Sequence, residues 1–442
     1  MTIRMDEGAA ELLDTLHRAG YAAYVVGGCV RDSLLGLTPH DWDLCTSALP
    51  QQGMELFGEE KCIPTGLQHG TVTVKQGGGL YEITTFRTEG TYTDGRHPDE
   101  VHFVPDVRED LARRDFTINA MAYNAKEGLV DPFGGQADLQ SGILRAVGVP
   151  HQRFTEDALR ILRLYRFAAR FGFAIDPPTA QAAQELCAHL DCVSVERIEE
   201  EFAKLLSAPA PAAYLDEKIL GVVLPELSPE ALAAAKPVVD ACPAGEQALP
   251  VRLAALLLSL GEDGTRRTLR RLRCSNACIE ETAVLVREVM SGVPGAFSSD
   301  TNRAIPSPAL LPAATGSHPS GRSSEKLPAR PPVSLNIYTR KLLGQYGLKT
   351  VQRLAALGTA LQPERLADFA ALSELAERLD ADGVCCRVSQ LAVNGRDLMA
   401  AGVPAGPGIR KILEALLDGV IREEYPNERQ ALLAAVQQLA AS

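Results

Sequence analysis

Val25-Val26-Gly27-Gly28-Cys29-Val30-Arg31-Asp32, followed by Asp41-Trp42-Asp43, decides the fold. The apolar run from Tyr24 to Val26 predicts a short buried strand, and Gly27-Gly28 a turn into a helix. Two glycines let the backbone take positive φ and let a bulky anion approach the N–H groups. Arg31 follows, with a guanidinium that forks onto phosphate oxygens. Asp41 and Asp43 are two apart, which on a second strand puts both carboxylates on one face. Adjacent acids repel unless a cation lies between them, and hard oxygen ligands suit Mg²⁺. Such a pair beside a glycine turn and an arginine is what nucleotidyl transfer needs. One metal activates an attacking hydroxyl, and another holds the triphosphate and leaving group. Taken singly, a Gly-Gly is also just a turn, and an Asp-x-Asp just a solvated strand end. Their combination in one short segment points to chemistry.

Gly-Gly-x-Val-Arg-Asp and then Asp-x-Asp resembles the nucleotidyltransferase superfamily that includes DNA polymerase β. Within it, the segment is similar to the class II tRNA nucleotidyltransferase and bacterial poly(A) polymerase branch. Further segments carry the resemblance in order: Arg113-Arg114-Asp115 with Asn119-Ala120, Asp131-Pro132-Phe133-Gly134-Gly135, Glu156-Asp157 with Arg160, and Val193 to Leu206. It is close from about residue 20 to 207 and looser from about 390 to 435. The resemblance implies a CCA-adding activity, with Mg²⁺-dependent attack of the tRNA 3′-hydroxyl on the α-phosphate of CTP or ATP. It also implies roles: Asp41 and Asp43 as metal ligands; Gly28, Arg31 and Arg114 on the triphosphate and sugar; Asp157 and Arg160 on the base; Arg163 and Arg166 on the nucleotide.

At 442 residues the chain is expected to form several domains. Hydrophobic content of 46% and charged content of 23% are ordinary for a globular protein. The net charge of −12 argues against a uniformly basic nucleic-acid binder but leaves room for a local basic groove. The ten cysteines lack paired metal spacing and read as free thiols of a cytoplasmic protein. MTIRMDEGAA holds no apolar signal core, and the apolar run near Leu253–Leu260 is too short to span a bilayer.

Along the chain, Asp6 to Ala19 reads as an amphipathic helix with Leu12, Leu13 and Leu16 on one face. His69 to Val74 alternates as a strand, Gly77-Gly78-Gly79 signals a hairpin, and Tyr81 to Arg87 is the return strand. Glu82 on that strand is either a third metal carboxylate or a charged edge residue. Thr91 to Asp106 reads as a polar, mobile loop. Arg113, Arg114 and Asn119 follow at a loop entering a helix, to meet phosphates and sugar or to be a solvated helix start. Ser194 is expected to cap a helix braced by Glu196 and Arg197, without chemistry of its own.

Phe154 to Phe167 reads as one helix with Thr155 at its N-cap. Asp157, Arg160, Arg163 and Arg166 recur every third residue along one slowly turning face. A carboxylate beside a guanidinium accepts the amino proton of cytosine or adenine while donating to the ring nitrogen. Uracil and guanine mismatch both groups, at a cost on the order of 2 to 5 kcal/mol. The plainer reading is an i,i+3 ion pair worth a few tenths of a kcal/mol.

From Ala212 the chain is Leu/Ala-rich and helical, with a basic cluster at Arg266, Arg267, Arg270, Arg271 and Arg273. Residues 291–332 are Ser/Pro/Gly-rich and are expected to be disordered. Asn394-Gly395 with Asp397-Leu398, Gly406-Pro407-Gly408 and Glu424 to Asn427 resemble the family's C-terminal segment. The expected class is α+β: a mixed-sheet head (1–149), a helical neck for base recognition (150–212), a helical body (213–370) and a helical tail that binds tRNA (371–442). The alternatives are an A-only or CC-only transferase, a poly(A) polymerase, and a non-catalytic RNA-binding protein. Poly(A) polymerases carry a basic segment soon after the acid pair and usually a basic tail; here stand Pro64 to Gly70 and QALLAAVQQLAAS. A non-catalytic relative would have lost Asp41 or Asp43. The oligomeric state is not legible in the sequence.

Overall fold

The computed structural model describes residues 3–90, 101–292 and 335–439. The first ten residues of the polar loop, 91–100, and all but the first two residues of the 291–332 stretch lie outside them. The chain divides into two compact units, residues 1–226 and 227–442. That division falls inside the segment read as the helical body.

The first unit opens with α1 (Glu7–Arg18). Asp6 caps it by accepting from the Gly8 and Ala9 N–H groups, and Leu12, Leu13 and Leu16 are buried on one face. β1 (Ala23–Val26) is buried at all four positions and leads into α2 (Gly28–Leu34). Next come β2 (Leu44–Thr46), α3 (Pro50–Phe57), β3 (Cys62–Gly66), β4 (Thr71–Gln76) and β5 (Gly79–Thr85). Gly77 and Gly78 make the β4–β5 hairpin turn with φ of +57° and +85°. β6 (Arg87–Glu89) pairs with β7 (Val101–Phe103) as a separate ribbon. Val101–Phe103, expected as loop, is therefore strand, because Arg87–Glu89 supplies it with a ladder. α4 (Val107–Ala112), β8 (Ala122–Asn124), β9 (Gly128–Val130) and α5 (Gly135–Ser141) follow.

The main sheet runs β3-β4-β5-β2-β1-β8-β9. Its pairs are antiparallel except β2 with β5, which are parallel with Leu44 opposite Ile83. The strand of Glu82 thus lies beside the acid-pair segment, as the sequence suggested. Tyr24, Val26, Cys45, Phe86, Leu111, Ala122 and Val147 belong to one core cluster of this unit.

A short parallel pair, β10 (Ile143–Leu144) with β11 (Ala174–Ile175), brackets α6 (Pro150–Glu156) and α7 (Leu159–Phe171). The single helix expected from Phe154 to Phe167 is broken. Asp157 is extended (φ −143°, ψ 103°), and its side chain accepts from the Leu159 N–H. An Asp favours such a capping geometry over a helix interior. Thr155 sits inside α6 and bonds back to the His151 carbonyl, so it is not the cap. α8 (Pro177–Glu185), α9 (Val195–Leu206) and α10 (Glu217–Val223) complete the unit. Ser194 precedes α9 but makes no side-chain cap bond.

In the second unit, regular structure among the described residues is helical: α11 (Pro229–Ala241), α12 (Leu249–Leu257), α13 (Gly261–Arg271), α14 (Asn276–Met290), α15 (Leu335–Tyr346), α16 (Leu348–Leu361), α17 (Leu366–Ala381), α18 (Gly395–Ala400), α19 (Pro407–Ile421) and α20 (Arg429–Leu439). Asn394 caps α18 reciprocally with Asp397, and Asn427 ties Ala392 to Gln390, so these family-like segments serve as fastenings. Leu398, Leu416, Val420, Leu432 and Val436 form their core. Within the basic cluster, Arg266 is held by Glu262 at 3.0 Å and Glu280 at 2.5 Å. All ten cysteines are free thiols. Among the described residues no helix is long and apolar enough to cross a membrane.

Candidate functional site

β1 is pinned at its C-terminal end from both sides. Val26 N–H donates to the Asp43 carbonyl at 2.9 Å, and Gly27 N–H to the Met121 carbonyl at 3.0 Å. Gly27 then turns with φ +76°. A Cβ there would lie 2.8 Å from Arg114 Nη1, so glycine is needed both for the turn and for the guanidinium beside it. Gly28 is not in the positive-φ region: it is already the first helical residue, and an added Cβ would meet only Arg31 at 3.6 Å.

Asp41 and Asp43 do not lie within the strand, as the sequence reading had them, but immediately before β2. The three residues of β2 are all buried, and a charged pair stays outside such a ladder. Both aspartates are exposed. The parallel register places Glu82, also exposed, alongside Asp43. Although Asp43 as a residue is open to water, protein crowds its carboxylate. That partial desolvation and the Glu82 charge raise its pKa, Arg114 opposes them, and Asp41 adds a smaller upward push. A carboxylate crowded in this way beside two further acids is what a cation relieves. Among the described residues no three His, Cys, Asp or Glu side chains form a ready cage. The donor set fits a hard divalent ion completed by substrate phosphates and water.

Arg114 acts on the acid pair, and most of the other candidate arginines rest on acids of their own. Arg31 is buried: Nε donates to Asp32 at 2.7 Å and Nη1 to Asn119 at 2.5 Å, and Phe171 lies 4.9 Å away. Asn119 in turn donates to Asp115 at 3.0 Å, so both ends of its amide are engaged. Arg163 clamps Asp115 through Nε and Nη2 at 2.9 and 2.7 Å, and Arg166 meets Glu201 at 2.8 Å while covering Phe167 at 4.0 Å. Arg114 is held loosely. Its Nη2 lies 3.5 Å from Asp110, long for a charge-assisted bond, and its buried Nε has no hydrogen-bond partner.

Asp157 and Arg160 do not pair with each other. Asp157 takes Arg197 at 2.8 Å, whereas Arg160 holds Glu156 at 2.8 Å, the Arg153 carbonyl at 3.1 Å and the Arg113 carbonyl at 2.9 Å. Arg197, assigned only a bracing role from sequence, thus touches the predicted base reader. The 40-residue separation gives no local signal for that contact. Glu156 was legible, as the i,i+4 neighbour of Arg160.

Asp115 gives a pH-dependent expectation. Burial raises its carboxyl, but Arg163 and Asn119 overcome this and hold it at about 2 against an ordinary 3.8. A folded-state pKa below the unfolded one adds stability above the unfolded value. Here it is about 2 kcal/mol, lost as the pH falls from near 4 through about 2. Urea unfolding at several acid pH values should show that slope, and Asp115→Asn should flatten it. An unchanged slope would remove Asp115 as its source.

Residues 23–145 match the family described as the poly A polymerase head domain. Residues 172–230 match "Probable RNA and SrmB- binding site of polymerase A", and residues 337–436 match tRNA nucleotidyltransferase domain 2. The chain is similar to the CCA-adding enzyme of Lactiplantibacillus plantarum, 35% identical over 97% of this chain and 95% of that one. The CCA-adding enzyme of Limosilactobacillus fermentum is 36% identical over 98% of this chain and 97% of its own. Among solved structures, the Bacillus stearothermophilus CCA-adding enzyme in complex with CTP superposes with a TM-score of 0.76 at 28% identity, covering 99% of this chain and 98% of that one.

Proposed function

This chain belongs to the CCA-adding enzyme family, and from that premise we propose how its residues carry the family's reaction. The protein is a tRNA nucleotidyltransferase that adds C, C and A to the tRNA 3′ end from CTP and ATP, releasing pyrophosphate. The family works with a divalent metal; we propose Mg²⁺, held by Asp41 and Asp43 with Glu82 beside them. When bound it lowers the pKa of the attacking hydroxyl and balances triphosphate charge.

The observation that carries the assignment is that Asp41, Asp43, the Gly27 turn and the under-satisfied Arg114 meet at one end of β1 and β2. Arg114, with the N–H groups at Gly28, receives the triphosphate. Arg31, sealed on Asp32 and Asn119, acts from behind as a positioning group. Arg163 and Arg166 form the cationic wall. Asp157 accepts the amino proton of cytosine or adenine, and Arg160 donates to the ring nitrogen. We also propose the four-part division, head 1–149, neck 150–212, body 213–370 and tail 371–442, and a cytoplasmic location. The end of the head match at residue 145 supports the first boundary.

The test is incorporation of each labelled nucleotide, with Mg²⁺, into tRNA transcripts ending before CCA, after C and after CC. Two C and one A followed by a stop, without use of UTP or GTP, is the expected result. A long A tail on any RNA would indicate poly(A) polymerase. A halt before A, or A addition only onto CC, would indicate a split activity.

A further inference from the structure

α4 ends in a turn at Arg113-Arg114, and a single buried carboxylate stands under it. Asp110 has no exposed surface. Its Oδ1 accepts from Arg113 Nε and Nη2 at 3.0 and 2.8 Å, and from the main-chain N–H of Arg87 on β6 at 3.3 Å. Its Oδ2 faces Arg114 Nη2 at 3.5 Å. The turn therefore sits on a fixed charge anchored to the ribbon strand.

Two sets of contacts leave this turn. Arg114 extends to the Gly27 turn. The Arg113 carbonyl receives Arg160 Nη2 at 2.9 Å, and the neighbouring Ala112 carbonyl receives Arg153 Nη1 at 3.1 Å. Arg153 and Arg160 then share Glu156, at 2.6 and 2.8 Å. A shift of the turn displaces the triphosphate arginine and the base-reading arginine together.

We infer that Asp110 is a positioning residue for both, setting Arg114 and, through the Arg113 peptide, Arg160. This rests on the roles assigned above to Arg114 and Arg160. Asp110 reaches no substrate itself. Its strong bonds go to Arg113 and the Arg87 backbone, which fix the turn. Its long contact to Arg114 leaves that guanidinium able to turn its donors onto phosphate.

Asp110→Asn keeps the shape and one acceptor oxygen but removes the charge. The expected result is a KM for CTP and ATP raised on the order of tenfold, and a preference for CTP over UTP in kcat/KM lowered on the order of tenfold. A purely structural role would lower Tm while leaving the preference of the folded enzyme at the wild-type value. Wild-type KM and preference in a folded Asp110→Asn protein would overturn the inference. If that variant does not fold, Arg113→Lys serves instead: it keeps both charges, loses the forked grip, and should lower the CTP preference with a smaller rise in KM. A wild-type preference there would equally overturn the proposal. The wild-type enzyme is measured first. If it fails to prefer CTP over UTP, the base-reading assignment falls, and the KM change in Asp110→Asn alone decides the triphosphate half.

Discussion

Asp43→Asn and Asp41→Asn should each lower kcat by at least about 10³-fold while the protein keeps its fold. The amide retains the size and one oxygen of the carboxylate but not the charge that holds a hard cation. Loss of metal-assisted stabilisation of a phosphoryl transition state removes about 4 kcal/mol or more, at about 1.4 kcal/mol per tenfold. Neither residue is part of the core, so far-UV circular dichroism and the two-unit architecture should survive. The melting point of Asp43→Asn should in fact rise slightly. The carboxyl is held above its ordinary pKa by crowding and by Glu82. A raised acid pKa means that the charged form opposes folding at neutral pH, and the neutral amide relieves that opposition. Glu82→Gln separates its two readings: a large loss makes it a third ligand, a few-fold loss a charged neighbour. An Asp43→Asn enzyme within tenfold of wild-type turnover would sink the assignment of the acid pair.

The second large effect concerns base choice. Asp157→Asn should lower kcat/KM for CTP and ATP on the order of 10²-fold and narrow their advantage over UTP and GTP. The asparagine oxygen can still cap Leu159, so the break between α6 and α7 should persist. Arg197→Met should give a smaller narrowing in the same direction, because it frees Asp157 to turn without touching the base edge. Steady-state incorporation of all four nucleotides into a tRNA ending before CCA reads both. If Asp157→Asn keeps the wild-type ratio of CTP to UTP, Asp157 does not read the base.

What the sequence could show was set by interactions close in the chain. The β1 run, the Gly27 turn, the Gly77-Gly78 hairpin and α1 all follow from local patterning. So did the adjacency of the Glu82 strand, since a short mixed sheet leaves few places for it. Placing Asp41 and Asp43 inside a strand failed because a two-residue spacing does not say where a ladder stops. The uninterrupted helix through Asp157 failed because apolar periodicity continues across the break, and only the cap geometry of one aspartate interrupts it. The counter-acids were the least legible part. Asp115 lies 48 residues from Arg163, and Asn119 lies 88 from Arg31. Such partners are chosen by tertiary packing, and a sequence row of arginines cannot say which are already occupied.

The position of β1 in its sheet also governs the order of assembly. On one side it pairs with β2, about twenty residues away; on the other it pairs with β8, and Asn124 reaches back 101 residues to the Ala23 carbonyl. Closing so long a loop costs entropy before any contact rewards it, and such topologies fold slowly. During synthesis, the β3–β4–β5 meander and the β1–β2 pair can form while β1 still presents one bare edge. The Gly27 turn gains its Met121 anchor only when the chain as far as Met121 has emerged. The place where a nucleotide is to be held thus becomes native only after β8 has joined, and until then the open edge of a half-paired central strand is the growing chain's exposed liability.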